Sequence, residues 1–250
     1  MSDRVGASSS RPWVTRTVVG IVLATFLSDF SHETATAVLP LYLGSLGLGP
    51  AALGVIEGLA DFLVSLAKLA GGVAGHHLER KRPWASLGYL VTTLCTAGLG
   101  LVHGLAALVS LRSLAWVGRG FRGPLRDYLL ADAVEPTHYG RAYGLERAGD
   151  MLGAVAGPLM ATLLIWAGVD FRAVIFWTLV PGLLAAASMF FLTRESEPQA
   201  SAEAAAPAEA STEPFPAFVL ALPEWRPTLR PWRLFADLSD SPRGPCSGRR

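Results

Sequence analysis

The sequence predicts an all-α membrane protein with six transmembrane helices, and three observations carry that prediction. Hydrophobic residues make up 51% of the 250-residue chain and charged residues only 16%, with a mean hydropathy of +0.39. An average soluble domain carries about 25% charged residues. Six apolar runs each reach the roughly 20 residues that a helix needs to cross about 30 Å of hydrocarbon. Finally, Lys and Arg recur at every second connection, the asymmetry that orients membrane helices.

The first run extends from Thr17 to Ser45. Arg4, Arg11 and Arg16 precede it, but no small-residue cleavage site follows its apolar part, so it reads as a retained span and not a leader. Asp29, His32, Glu33, Thr36 and Pro40 fall at helical spacing on one face. Val22, Leu23, Phe26 and Val38 lie opposite, which predicts a polar side and a lipid side. Asp29 stands about 18 Å along the helix, near the bilayer midplane. Asp29 and Glu33 read equally as carriers of a proton or solute and as structural partners of arginines elsewhere.

The second run, Pro50 to Gly75, places Glu57, Asp61, Ser65 and Lys68 on one face, with Gly54 and Gly58 alongside. Lys68 has the reach to snorkel toward the cytoplasmic surface. Adjacent His76 and His77 are expected in a solvated loop, followed by basic Arg80, Lys81 and Arg82. The third run spans Pro83 to His103 and contains Cys95, a small packing residue.

The fourth run, Leu105 to Ala133, is the most unusual. Arg119, Arg122 and Arg126 form a stripe, with Arg112 one heptad earlier. Arginine stays charged, so each needs a carboxylate, an anionic solute or water. Arg119 and Arg122 are the candidates for the solute path, and Arg126 with Asp127 for a cytoplasmic gate. The fifth run, Tyr139 to Ala167, opens with Glu146, Arg147 and Asp150. Its Gly149, Gly153 and Gly157, followed by Pro158, form a ridge for close helix packing. The sixth runs from Phe171 to Thr193.

These charges are the functional signal. One at bilayer depth costs about 2.5–3.5 kcal/mol even on lenient scales, which points to a polar pathway enclosed by helices. The formal net charge of +1 gives no case for nucleic acid. No metal spacing, nucleotide loop or nucleophile motif occurs, so neither metal, cofactor nor enzyme is expected. Residues 1–16 read as a cytoplasmic tail, 17–195 as the six-helix bundle, and 196–250 as a disordered Pro-, Ala- and Arg-rich cytoplasmic tail. That tail begins as if approaching a seventh span and then loses apolarity, which reads as a truncated or frame-shifted chain.

Six spans, a basic connection after the second and a Gly-Pro motif in the fifth together resemble the N-terminal half of a major facilitator superfamily transporter. The loop motif of that family is Gly-x-Leu-Ala-Asp-Arg-x-Gly-Arg-Lys. Here Gly72, Arg80 and Lys81 match it, while His76 takes the aspartate position and Glu79 that of the second glycine. Gly153 to Pro158 resembles the span-five motif common in proton-linked exporters. The runs Ser28–Glu33 and Arg122–Asp127 are similar to a bacterial branch of the superfamily.

The resemblance implies two inverted three-helix repeats, half of a twelve-helix fold with its site near the midplane. It implies a secondary transporter in the plasma (inner) membrane, both termini cytoplasmic, moving a small solute by alternating access. Proton coupling is expected, with efflux slightly favoured. The pathway residues would be Asp29, Glu33, Glu57, Asp61, Arg119, Arg122 and Asp150. The cytoplasmic gate would be Gly72, Arg80, Lys81, Arg126, Asp127, Glu146 and Arg147. The alternative is a non-transporting half or an assembly partner, completed by a second copy or a separate C-terminal half.

Overall fold

The computed structural model describes residues 13–195, and its elements are helical throughout. Helix α1 covers Arg16–Ser45, α2 Pro50–His77, α3 Arg82–Gly98, α4 Leu105–Asp132 and α5 Tyr139–Trp166. The sixth expected span is two helices, α6 (Phe171–Trp177) and α7 (Leu179–Phe191). Residues 1–12 and 196–250, and with them the expected tails, lie outside the described residues.

Local chemistry explains the ends. The Thr15 hydroxyl accepts from the Val18 amide at the start of α1. Pro50 and Pro83 sit in the first turns of α2 and α3, where a missing N–H removes no helical bond. Gly47 and Gly168 adopt φ of 75° and 81° after α1 and α5. The next amides, Leu48 and Val169, then bond back to Leu43 and Leu164 at 3.0 Å, closing each helix in a Schellman turn.

The break in the sixth span falls at buried Thr178. Pro181 has no N–H for the Trp177 carbonyl. The Thr178 hydroxyl instead donates to Ile175 O at 2.6 Å, while Ser31 of α1 donates to Thr178 O at 2.8 Å. A second correction concerns His76 and His77, which belong to the last turn of α2 and not to a loop. The helix continues through them because the Leu78 amide still reaches Ala74 O at 2.8 Å.

Packing follows a two-fold logic. Helix α1 lies close along α5, and α4 lies equally close along α2; α3 and α7 pack behind them. Thus the first three-helix unit exchanges its edge helix with the second. Glycines permit the close approach: a Cβ on Gly153 would stand 2.5 Å from Phe26 O, and one on Gly120 2.7 Å from Val64 O.

The expected lipid side of α1 is corrected by this packing. Val38 is buried, Val22 and Phe26 pack against Gly149, and only Leu23 of the four is exposed. Helix α1 is central, so both its faces have neighbours.

The buried apolar residues form two clusters. One gathers Val18, Ile21, Tyr89, Leu125, Leu129 and Met189 toward the N-terminal end of α1. The other gathers Leu39, Tyr42, Ile56, Leu108 and Ile175 toward its C-terminal end. Between them lies a layer of buried polar groups, including Ser28, Asp29, His32, Thr92, Arg112, Arg122 and Asp150. Helices α2, α3 (with its extension to Leu101), α5 (with its lead-in from Pro136) and the α6–α7 pair are long and apolar enough to cross a membrane. Helices α1 and α4, with 30 and 28 residues, are long enough but carry the charges of this polar layer.

Candidate functional site: a polar ladder between α1 and α4

The backbones of α1 and α4 approach each other far less than those of α1 and α5. Polar side chains bridge the interval. Arg112 Nη2 donates to Thr36 Oγ1 at 3.1 Å, and Arg119 Nη1 to Asp29 Oδ1 at 2.5 Å. Arg122 Nη2 donates to Ser28 Oγ at 2.7 Å, and Arg126 Nη1 to Thr25 Oγ1 at 3.4 Å. Partner numbers fall along α1 as they rise along α4, so these are the rungs of an antiparallel ladder. Helical periodicity puts the arginines on one α4 stripe; antiparallel packing brings them to the hydroxyl and carboxylate stripe of α1.

The rungs differ in electrostatics. Arg112 is fully buried and ion-paired with Glu57 of α2 at 2.9 Å, with Nε also donating to Glu57 Oε1 at 3.1 Å. Asp29 is 4% exposed, whereas the Arg119 side chain is partly exposed. Arg122 is buried, forms no ion pair among the described residues, and lies 3.6 Å above the centroid of the Tyr89 ring. That is a cation–π contact in a desolvated setting. Arg126 pairs with Glu146 of α5 at 2.7 Å and with Asp127 at 3.0 Å. Tyr143 donates to Asp127 O at 3.0 Å, adding a second tie between α4 and α5.

Of the residues named for a pathway, the structure therefore brings Asp29, Glu57, Arg119 and Arg122 into one ladder with Arg112. Glu33 lies one turn beyond Asp29, half-buried against Gly157, without a hydrogen bond or ion pair among the described residues. Asp61 is exposed on α2, one turn from Glu57, its carbonyl accepting from Ser65 Oγ. Asp150 is buried and pairs with exposed Arg147 on the same helix at 2.5 Å.

Of the residues named for a gate, Arg126, Asp127 and Glu146 form one cluster. Arg80 is exposed, Gly72 borders open space, and the Lys81 ammonium stands 5.7 Å from the Tyr128 ring centroid. Gly149, Gly153 and Gly157 face α1, where Cβ atoms would meet Val22, Phe26 and Phe30. Pro158 follows them inside α5.

The sequence reading missed Thr25, Ser28, Tyr89, Trp116 and the role of His32. Trp116 had a legible signal, standing four residues after Arg112 and three before Arg119 on the same stripe. Tyr89 had none, because only packing brings α3 beneath Arg122. Among the described residues, no group of His, Cys, Asp and Glu is arranged to hold a metal ion.

Residues 21–240 match the model of the Major Facilitator Superfamily. The chain is 28% identical over 174 residues to an uncharacterized MFS-type transporter of Methanocaldococcus jannaschii, covering 69% of this chain and 44% of the relative. It is 30% identical over 197 residues to an uncharacterized protein of Mycobacterium tuberculosis, covering 77% of this chain and 47% of the relative. The chain thus spans about half the length of the curated relatives it matches. Its fold is similar to that of a bacterial homolog to the human lysosomal transporter Spinster, solved in an inward-facing and occupied conformation. The TM-score is 0.64 at 19% identity, over 74% of this chain and 45% of that one. With its six helical spans, its polar interior and a family match covering most of its length, this chain is a multi-pass membrane protein and belongs to the major facilitator superfamily.

Proposed function

We propose that this chain supplies the α1–α7 half of a proton-coupled secondary transporter that moves a small solute by alternating access, with efflux the favoured direction. The observation that carries the reading is the Arg119–Asp29 pair, held across the loosely packed α1–α4 interval. A proton on Asp29 removes the charge that holds Arg119 and so loosens α1 from α4. Such a pair converts protonation into helix movement. Glu33, half-buried, and Asp61, exposed, supply further acidic groups to the solute path in this reading. Arg126, Asp127 and Glu146 close the N-terminal end of α5 against α4, as a cytoplasmic gate requires, with both chain termini on that side. Reconstitution in liposomes with an imposed pH gradient tests this. Gradient-driven flux that disappears in Asp29→Asn supports it; gradient-driven flux unchanged in that variant removes Asp29 as the coupling group.

A second reading, assembly with a further half or a second copy, is favoured by one feature. Leu59, Phe62, Leu66, Leu69 and Val73 along α2 are exposed, as are Leu152, Val155, Leu159 and Leu163 along α5. Mass measurement in detergent separates a monomer from an assembled pair.

A further inference from the structure

One stretch of the ladder holds buried hydrogen-bond donors that have no partner among the described residues. Trp116 of α4 lies between the Arg112–Glu57 and Arg119–Asp29 pairs. The guanidinium carbons of Arg112 and Arg119 stand 5.4 and 5.7 Å from its ring centroid. His32 of α1 meets the same ring edge-on, with centroids 4.9 Å apart. Four polar atoms of these three side chains are buried without a hydrogen-bond partner among the described residues: Arg112 Nη1, Trp116 Nε1 and both ring nitrogens of His32. Arg112 and His32 are 0% and 2% exposed. Leaving such a group unsatisfied costs about 1–3 kcal/mol.

The character of these atoms selects the ligand. Arg112 Nη1 and the indole N–H donate only, and imidazole offers at least one further N–H. A group rich in acceptors and poor in donors fits them. Charge points the same way. Arg112, Arg119 and Arg122 all act on His32 electrostatically; two of them are ion-paired, with Glu57 and Asp29, and Arg122 forms no ion pair among the described residues. Two guanidiniums already lie near the Trp116 ring, so a cation placed there meets repulsion.

We propose that His32, Trp116 and Arg112 form a recognition site for the carboxylate of a small organic anion. This rests on the transporter reading and gives its solute a chemical class. Glu33 stands one turn from Asp29 with no ion pair, so its charge competes with the solute for Arg112 and Arg119.

The test uses the purified full chain in detergent and three probes sharing one ring: benzoate, benzamide and benzylamine. Titration calorimetry and tryptophan fluorescence report binding. Benzoate is expected to bind at least tenfold more tightly than the other two and to quench fluorescence. The quench is expected to be lost in Trp116→Phe, and affinity to fall at least fivefold in His32→Ala. Glu33→Gln is expected to tighten benzoate binding at least threefold, a sign opposite to that for a cation. Glu33 makes no hydrogen bond or ion pair among the described residues, so this variant also guards against failure to fold. No benzoate binding at millimolar concentration, binding indifferent to Trp116→Phe, or tighter binding of benzylamine overturns the site. Flux of solutes in the same liposomes reports transport separately. Gradient-driven flux of a neutral solute without benzoate binding sinks the anion site and spares the transporter. Benzoate binding without any flux does the reverse.

Discussion

The Arg119 guanidinium lies 2.5 Å from the Asp29 carboxylate, joining α4 to α1 where their backbones stand apart. Asp29 is 4% exposed. Most of what holds this interval closed is therefore ionic or hydrogen-bonded. Removing one partner leaves the other charge uncompensated, which costs about 3–5 kcal/mol for a buried pair. Because the Arg119 side chain is partly exposed, the lower end applies.

Arg119→Gln is thus expected to destabilise the protein by about 3 kcal/mol. Asp29→Asn combined with Arg119→Gln is expected to recover at least half of that loss. A double-mutant cycle from denaturation in detergent measures it; additive losses would show that the pair contributes no coupling.

Asp29→Asn is expected to abolish pH-gradient-driven flux while solute exchange at equal pH continues. Liposome assays with and without the gradient check the two rates. Loss of both together would mark Asp29 as a structural residue.

Arg122 rests on an aromatic face and forms no ion pair among the described residues. Tyr89→Phe keeps that face and is expected to leave stability within about 0.5 kcal/mol. Tyr89→Leu removes it and is expected to cost about 2 kcal/mol, since the contact is desolvated. Thermal unfolding of the two variants side by side reads the difference.

At Gly153 a Cβ would meet both Phe26 O at 2.5 Å and Phe30 N at 3.0 Å, backbone atoms with nowhere to yield. Gly153→Leu is expected to destabilise by about 3 kcal/mol or to prevent folding through overpacking. Gly144→Leu, where nothing lies within 4 Å, is the control and is expected to express normally. Detergent-solubilised yield and melting temperature compare them.

Much of this molecule was legible in its residues. Chain hydropathy and Pro–Gly punctuation located six spans to within a few residues, because crossing a bilayer demands an apolar length that composition alone reveals. The stripes Asp29–His32–Glu33–Thr36 and Arg112–Arg119–Arg122–Arg126 followed from helical periodicity. Buried charge at that depth implied partners before any were seen.

Tertiary packing decided which partners meet. Periodicity gives a residue its face on a helix but neither the neighbouring helix nor the register between them. The glycine notches of α5 draw α1 to it, and those of α2 and α4 bring those two together, leaving α1 and α4 to meet through side chains. That register gave Asp29 to Arg119 and Glu57 to Arg112, left Glu33 without an ion pair among the described residues, and set Arg122 on Tyr89. It also gave both sides of α1 neighbouring helices and ended one helix at Thr178, where Pro181 withholds a donor from Trp177 O and Ser31 of α1 donates to Thr178 O.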